Sequence, residues 1–119
     1  MTPGTKTCIA YVAARVISGR GALRIFDVQR SLWVRIGGTI RGPQVRLYDY
    51  DREGIVHGDL PDVTDFCTGV SFKLLLDGTR FFVHSATPAR ELQGLVVGVD
   101  IELYDASGVT DRYRLEAIA

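Results

Sequence analysis

Cysteine is almost missing from this chain: Cys8 and Cys67 are the only two in 119 residues. Two cysteines cannot form the disulfide framework that staples small secreted folds, so the core must come from buried apolar side chains. A Cys8–Cys67 bridge would call for an exported chain. Two packed thiols suit a reducing setting, and a cytoplasmic address is the expectation. Long apolar runs are lacking too. The longest mainly apolar stretch, Cys8 to Ile17, is broken by Arg15 and falls short of the roughly 20 residues that cross a bilayer as a helix, so no membrane span is expected. Met1 to Lys6 carry one basic residue and no small-residue cleavage site follows, so no signal peptide is read. Signatures of catalysis are absent as well. There is no Gly-x-Ser-x-Gly, no phosphate-binding loop, no His-Glu-x-x-His and no Cys-x-x-Cys. No cofactor is expected.

What is present is an ordinary globular composition, 46% hydrophobic and 24% charged, at a length that fits one domain over residues 1–119. A net charge of zero conceals an uneven distribution. Residues 1 to 48 hold eight basic residues against the single acid Asp27, a balance of +7, while residues 49 to 119 hold six basic residues against thirteen acids, a balance of −7. Such asymmetry signals an anionic partner, self-association, or basic strands lying beside acidic ones in one sheet. The last is the expectation, with a symmetric homodimer as the other route to neutrality.

The chain also carries a repeat. An apolar or aromatic segment ends in Asp, a short polar turn follows, and a second apolar segment returns. The four copies are Leu23 to Asp27, Val45 to Asp49, Lys73 to Asp77 and Ile101 to Asp105, and their returns are Leu32 to Ile36, Ile55 to His57, Phe81 to His84 and Arg112 to Leu115. Turns of this length and composition connect hairpins, and Asp77-Gly78 is the strongest among them. Thr7 to Ile17 reads as a ninth strand, because its β-branched and aromatic residues outweigh Ala10, Ala13 and Ala14, which would otherwise favour a short helix. Thr87 and Pro88 open a single helical turn to Leu92.

Alternation then assigns faces. Leu23, Ile25, Val45, Leu47, Ile101 and Leu103 point to the core, whereas Arg24, Arg46 and Glu102 point outward together with the aromatic Phe26, Tyr48 and Tyr104. The fold class is therefore all-β: an antiparallel β-barrel, a meander of about four hairpins plus an N-terminal strand, with a β-sandwich as second choice.

Two constellations could carry chemistry. Asp49, Asp51 and Glu53 before Gly54 supply acidic oxygens at a spacing that matches the first half of a calcium loop, and Asp59 could add an oxygen from another direction. The second half fails, since Leu60 stands where a bidentate carboxylate belongs, and turns select these residues anyway. Arg35, His57, His84 and Arg114 hold similar places in the four return strands and, with Tyr48 and Tyr104 on the aromatic rim, would line a barrel mouth for an anionic ligand. The functional expectation is a non-enzymatic module that binds a small ligand or a protein. The alternative is a barrel enzyme in which His57, His84 and nearby carboxylates perform acid–base chemistry. Nucleic-acid binding ranks third, because a dedicated binder carries positive excess and this chain has none.

Overall fold

A computed structural model describes residues 1–86, 89–108 and 110–118. The chain begins with a helix, α1 (Pro3–Ser18). Ten strands follow: β1 (Ala22–Asp27), β2 (Leu32–Arg41), β3 (Gln44–Asp49), β4 (Gly54–Asp59), β5 (Asp62–Asp65), β6 (Val70–Asp77), β7 (Arg80–Ala86), β8 (Ala89–Val97), β9 (Asp100–Tyr104) and β10 (Thr110–Ala117). Each strand pairs antiparallel with the next, and β1 pairs with β10, so the sheet closes into a barrel without free edges.

The barrel and all four hairpins agree with the sequence pattern. Asp27, Asp49 and Asp77 end β1, β3 and β6, and Asp105 directly follows β9. At the Asp77-Gly78 turn, Gly78 adopts φ +62°, the positive value that glycine tolerates best. Three expectations are corrected. The segment Thr7 to Ile17 is helix, not a ninth strand. Ala89 to Leu92 belong to β8, not to a helical turn, while Thr87 and Pro88 lie outside the described residues. Leu23 points outward and is exposed, because the β1–β10 register shifts between Ala22 and Arg24 and a bulge inverts the alternation there. Ala22 takes its place in the core. The strands β5 and β8 add two to the eight that the hairpins supply.

The helix explains how so wide a barrel can be filled. Eight strands enclose a space that side chains alone can pack, and diameter grows with strand number, so ten leave a lumen to be occupied. The α1 helix occupies it. Thr5 and every residue from Thr7 to Ala14 are fully buried, on all sides of the helix. Facing them are the inward residues of the strands, among them Ile25, Ile36, Leu47, Leu74, Phe81 and Leu103. A strand inside the lumen would leave its backbone N–H and C=O groups unpaired, whereas a helix satisfies its own; this outweighs the strand preference of Ile9, Tyr11 and Val12. Its ends are capped. The Thr2 hydroxyl accepts the Thr5 N–H at 3.3 Å, Pro3 opens the first turn, and Gly19 in the left-handed conformation donates its N–H to the Arg15 carbonyl at 3.0 Å.

The uneven charge is matched across neighbouring elements. Basic residues of the first segment meet acids of the second in Lys6–Asp111 (3.0 Å), Arg35–Asp51 (3.4 Å), Arg46–Asp59 (3.5 Å) and Arg24–Glu116. All lie within one molecule, and all are at least partly solvated, so they serve charge balance more than stability.

Candidate functional site

The meander places the ends of β1, β3, β5, β7 and β9 around the N-terminal end of α1. Three buried carboxylates stand there: Asp27, Asp49 and Asp65. Each caps the turn that follows it. Asp49 accepts the N–H groups of Asp51 (3.0 Å) and Arg52 (3.1 Å), Asp27 accepts that of Arg30 (3.1 Å), and Asp65 accepts that of Cys67 (3.1 Å). Arginines three residues beyond the first two then tie the turns to the helix. Arg52 donates to Asp49 through Nε (2.7 Å), to both oxygens of Asp65 (2.8 and 3.2 Å) and to the Cys8 sulfur (2.9 Å). Arg30 pairs with Asp27 and reaches the Thr7 hydroxyl at 3.2 Å. Thr5 completes the clasp by donating to Asp65 at 2.7 Å.

The electrostatics of this cluster are those of a fastener. Burial raises the Asp65 carboxyl, but hydrogen bonds from Arg52 and Thr5 outweigh it and hold the group below the ordinary carboxylate range. Burial depresses the Arg52 guanidinium, and its bonds to Asp65, the nearby Cys8 and its bond to Asp49 reverse this, so it stays charged. Burial also pushes the Cys8 thiol well up, despite Arg52 beside it, which favours the neutral thiol. Asp77 takes no part. It ends an even-numbered strand and sits at the opposite rim, while Asp65, outside the fourfold repeat, takes the third place.

The expected metal ligands are not gathered. Both oxygens of Asp49 are engaged by the turn and by Arg52, Asp51 faces Arg35, and Asp59 faces Arg46. Glu53 occupies the left-handed position of the turn at φ 54°. Among the described residues, no group of three His, Cys, Asp or Glu side chains is placed to hold a metal ion.

The expected ligand residues are on the outer wall, because inward positions belong to the helix contacts. Arg35 lies on β2, His57 on β4, His84 on β7 and Arg114 on β10, and no two of these strands are neighbours. Arg35 meets Asp51, Arg114 meets Asp100 at 3.0 Å, His84 Nδ1 is 3.6 Å from Glu91, and His57 packs edge-on near Phe66. His57 and His84 are three strand spacings apart, about 14 Å along the wall, too far to act on one bond. Tyr48 packs against Tyr50, with ring centroids 5.0 Å apart.

Of the six, His84 and Tyr104 share a cavity. It is a groove of about 450 Å³ on the outer wall of β6 to β9. Its floor is one cross-strand row set by register: Leu75 opposes Phe82, Phe82 opposes Gln93, and Gln93 opposes Tyr104. His84 and Glu91, also paired across strands, and Asp105, which follows Tyr104, line the side of this row toward the ends of β7 and β9. Leu75 and Phe82 are exposed apolar side chains, so an apolar surface faces water here. The Tyr104 hydroxyl donates to the Glu102 carboxylate, and this bond, with some burial, raises its pKa and keeps it protonated. Neither Leu75, Phe82 nor Gln93 stands out in the sequence, where the first two lie in the third hairpin and Gln93 lies outside the repeat. The chain matches no family model, no curated protein and no solved structure.

Proposed function

We propose that this protein is a non-enzymatic binding module that takes a small, partly apolar ligand on its outer wall, in the groove between β6 and β9. One observation carries the reading: α1 fills the lumen where a ligand-carrying barrel holds its cargo, while the wall outside exposes Leu75 and Phe82 in a hollow of ligand size. Pockets of roughly 300–1,000 Å³ accept small molecules, so about 450 Å³ is sufficient. Covering about 150 Å² of apolar ligand surface contributes roughly 4 kcal/mol, which corresponds to millimolar affinity before any polar contact is added. The rigid barrel keeps the row aligned before binding, so little ordering entropy is lost. A helix-filled, edge-free barrel thus serves as a stiff support for a surface site. Charged side chains around the wall, including Arg24, Arg46, Lys73, Glu91 and Arg114, support a water-facing surface, since lipid-facing strands expose apolar residues.

A neutral solvatochromic dye, Nile red, tests this reading. Saturable, blue-shifted emission is expected with the natural chain, with loss in Phe82→Asp and retention in Tyr48→Ser on the opposite wall. Dye binding that Phe82→Asp leaves intact, or no saturable binding, would refute the proposal.

A further inference from the structure

Charge matching is incomplete at one place. Of the eight basic residues among residues 1 to 48, five meet a carboxylate: Lys6, Arg24, Arg30, Arg35 and Arg46. Among the described residues the other three, Arg15, Arg20 and Arg41, meet none. They gather where α1 ends, at the rim opposite the clasp. Arg15 and Arg20 line a hollow of about 240 Å³ with Gly19, Gly21, Ile40 and Gly42, and Arg41 stands between the last two in the chain. No acid lines this hollow. Glu116 on β10 and Asp59 on β4, which flank this sector of the rim, face Arg24 and Arg46. Arg15 has an edge to spare. Its Nη1 donates to the Gly38 carbonyl at 3.0 Å and to the Tyr11 hydroxyl at 3.3 Å, which holds the guanidinium in place. Its Nε is shielded from water and, among the described residues, has no acceptor, so a donor is left unsatisfied at the wall of the hollow. Gly21 keeps the hollow open. It avoids the left-handed backbone, and an added β-carbon would meet nothing within 4 Å, so neither conformation nor packing calls for glycine there.

We infer that this hollow seats a phosphate group, either free or carried by a small organic molecule. Two guanidiniums line it and a third adjoins it, while the end of α1 opposes them with only about half a negative charge, so the seat is positive. An anion there supplies the acceptor that Nε of Arg15 lacks once the guanidinium tilts toward it. The edge formed by Nε and Nη2 is the one that grips two oxygens of a single oxyanion. A tetrahedral, doubly charged phosphate can meet more than one arginine, whereas a carboxylate offers one plane and one charge. At about 240 Å³ the hollow lies below the roughly 300 Å³ at which pockets for drug-sized ligands begin, which suits a phosphate with at most a small body. This seat shares no lining residue with the groove between β6 and β9, and neither depends on the other.

Inorganic phosphate, glycerol 3-phosphate and acetate, titrated at constant ionic strength into the ¹⁵N-labelled protein, test the seat through the amide signals of Arg20, Gly21 and Gly42 and the Nε–H signal of Arg15. Both phosphates are expected to shift these signals saturably in the millimolar range and to bind tighter than acetate. Arg20→Gln, a change at an exposed position, should weaken phosphate roughly three- to tenfold, between the worth of an exposed ion pair and that of a charged hydrogen bond. Gly21→Asp, which puts a carboxylate into the open space, should abolish phosphate binding without lowering the thermal midpoint. Arg80→Gln, at the start of β7 across the barrel, should leave binding unchanged. Tighter binding of glycerol 3-phosphate than of inorganic phosphate identifies a phosphorylated small molecule as the occupant, and the reverse order identifies the free ion. The absence of saturable shifts at millimolar phosphate, acetate binding as tight as phosphate, phosphate binding that survives Gly21→Asp, or an equal loss in Arg80→Gln overturns the inference.

Discussion

Replacing Arg52 with methionine tests whether the clasp at the helix N-terminus holds the barrel together. Arg52 is mostly buried and its partners Asp49 and Asp65 almost wholly so. Methionine keeps the length of the stem but leaves two carboxylates in the interior without their cation. Removing one partner of a buried pair costs about 3–5 kcal/mol, because the remaining charge has lost both water and its counterion. Here the turn N–H groups still bind Asp49, and Thr5 and the Cys67 N–H still bind Asp65, so the lower end, about 3 kcal/mol, applies. That is a large part of the roughly 5–15 kcal/mol that a domain of this size possesses, and it lowers the midpoint by on the order of 10 °C. The pH dependence supplies a second test. In the natural protein the folded pKa of Asp65 lies below its unfolded value, so its contribution is present above the unfolded pKa and is lost only as pH falls through the folded one. Without Arg52, burial prevails and the folded pKa rises above the unfolded one. The variant then loses stability as pH rises through that value, and its deficit relative to the natural protein shrinks on acidification from pH 7 to about pH 5. Urea unfolding of both proteins at these two pH values measures it. A deficit under about 1 kcal/mol at pH 7, or one that does not shrink at lower pH, would refute the view that the pair is a fastener whose charge must be matched.

Packing and metal content give two further expectations. A β-carbon at Gly94 would fall 1.9 Å from Cζ of the buried Phe81, so Gly94→Ala should cost about 1–3 kcal/mol by thermal or urea unfolding, and a Phe81→Leu background should recover part of that loss; an unchanged midpoint would show that the Phe81 ring moves aside freely. Calcium at millimolar concentration should leave the thermal midpoint where chelator leaves it, since the oxygens of Asp49 are engaged by Arg52 and turn N–H groups. A rise of several degrees that Asp51→Ala abolishes would make the Asp49 to Gly54 turn a cation site.

The hairpins were legible in the sequence because a strand with one face buried writes a period of two, and because turns demand particular residues. Val45, Leu47, Ile101 and Leu103 face inward as alternation requires, and the Asp residues of all four copies mark strand ends. Burial on all sides removes such a pattern. From Cys8 to Ala14 every residue is buried, so the helix shows no polar face and resembles a strand in composition. Its caps were nevertheless written out as Thr2-Pro3 and Gly19, the same Thr-Pro signal that at Thr87-Pro88 suggested a helical turn where β8 follows. The strand β8 also announced itself faintly, through the inward set Leu92, Gly94 and Val96.

Tertiary structure alone decided which end of the barrel each residue reaches and which strands stand side by side. Four residues make β5, too few to show a period, yet it delivers Asp65 to the Arg52 guanidinium, which lies thirteen positions earlier in the chain. The repeat groups Asp77 with the other three, but two strands, β4 and β5, lie between the second and third copies, and an even number reverses the direction of travel, so Asp77 sits at the far rim while Asp65 joins Asp27 and Asp49. Basic residues at matching places in four hairpins are spread around the circumference because the hairpins themselves follow one another around the closed sheet, and no two of β2, β4, β7 and β10 are neighbours. The groove was the least legible feature. Leu75, Phe82, Gln93 and Tyr104 form one row only because the registers of β6, β7, β8 and β9 align them, and register is a property of the closed sheet that no single strand contains.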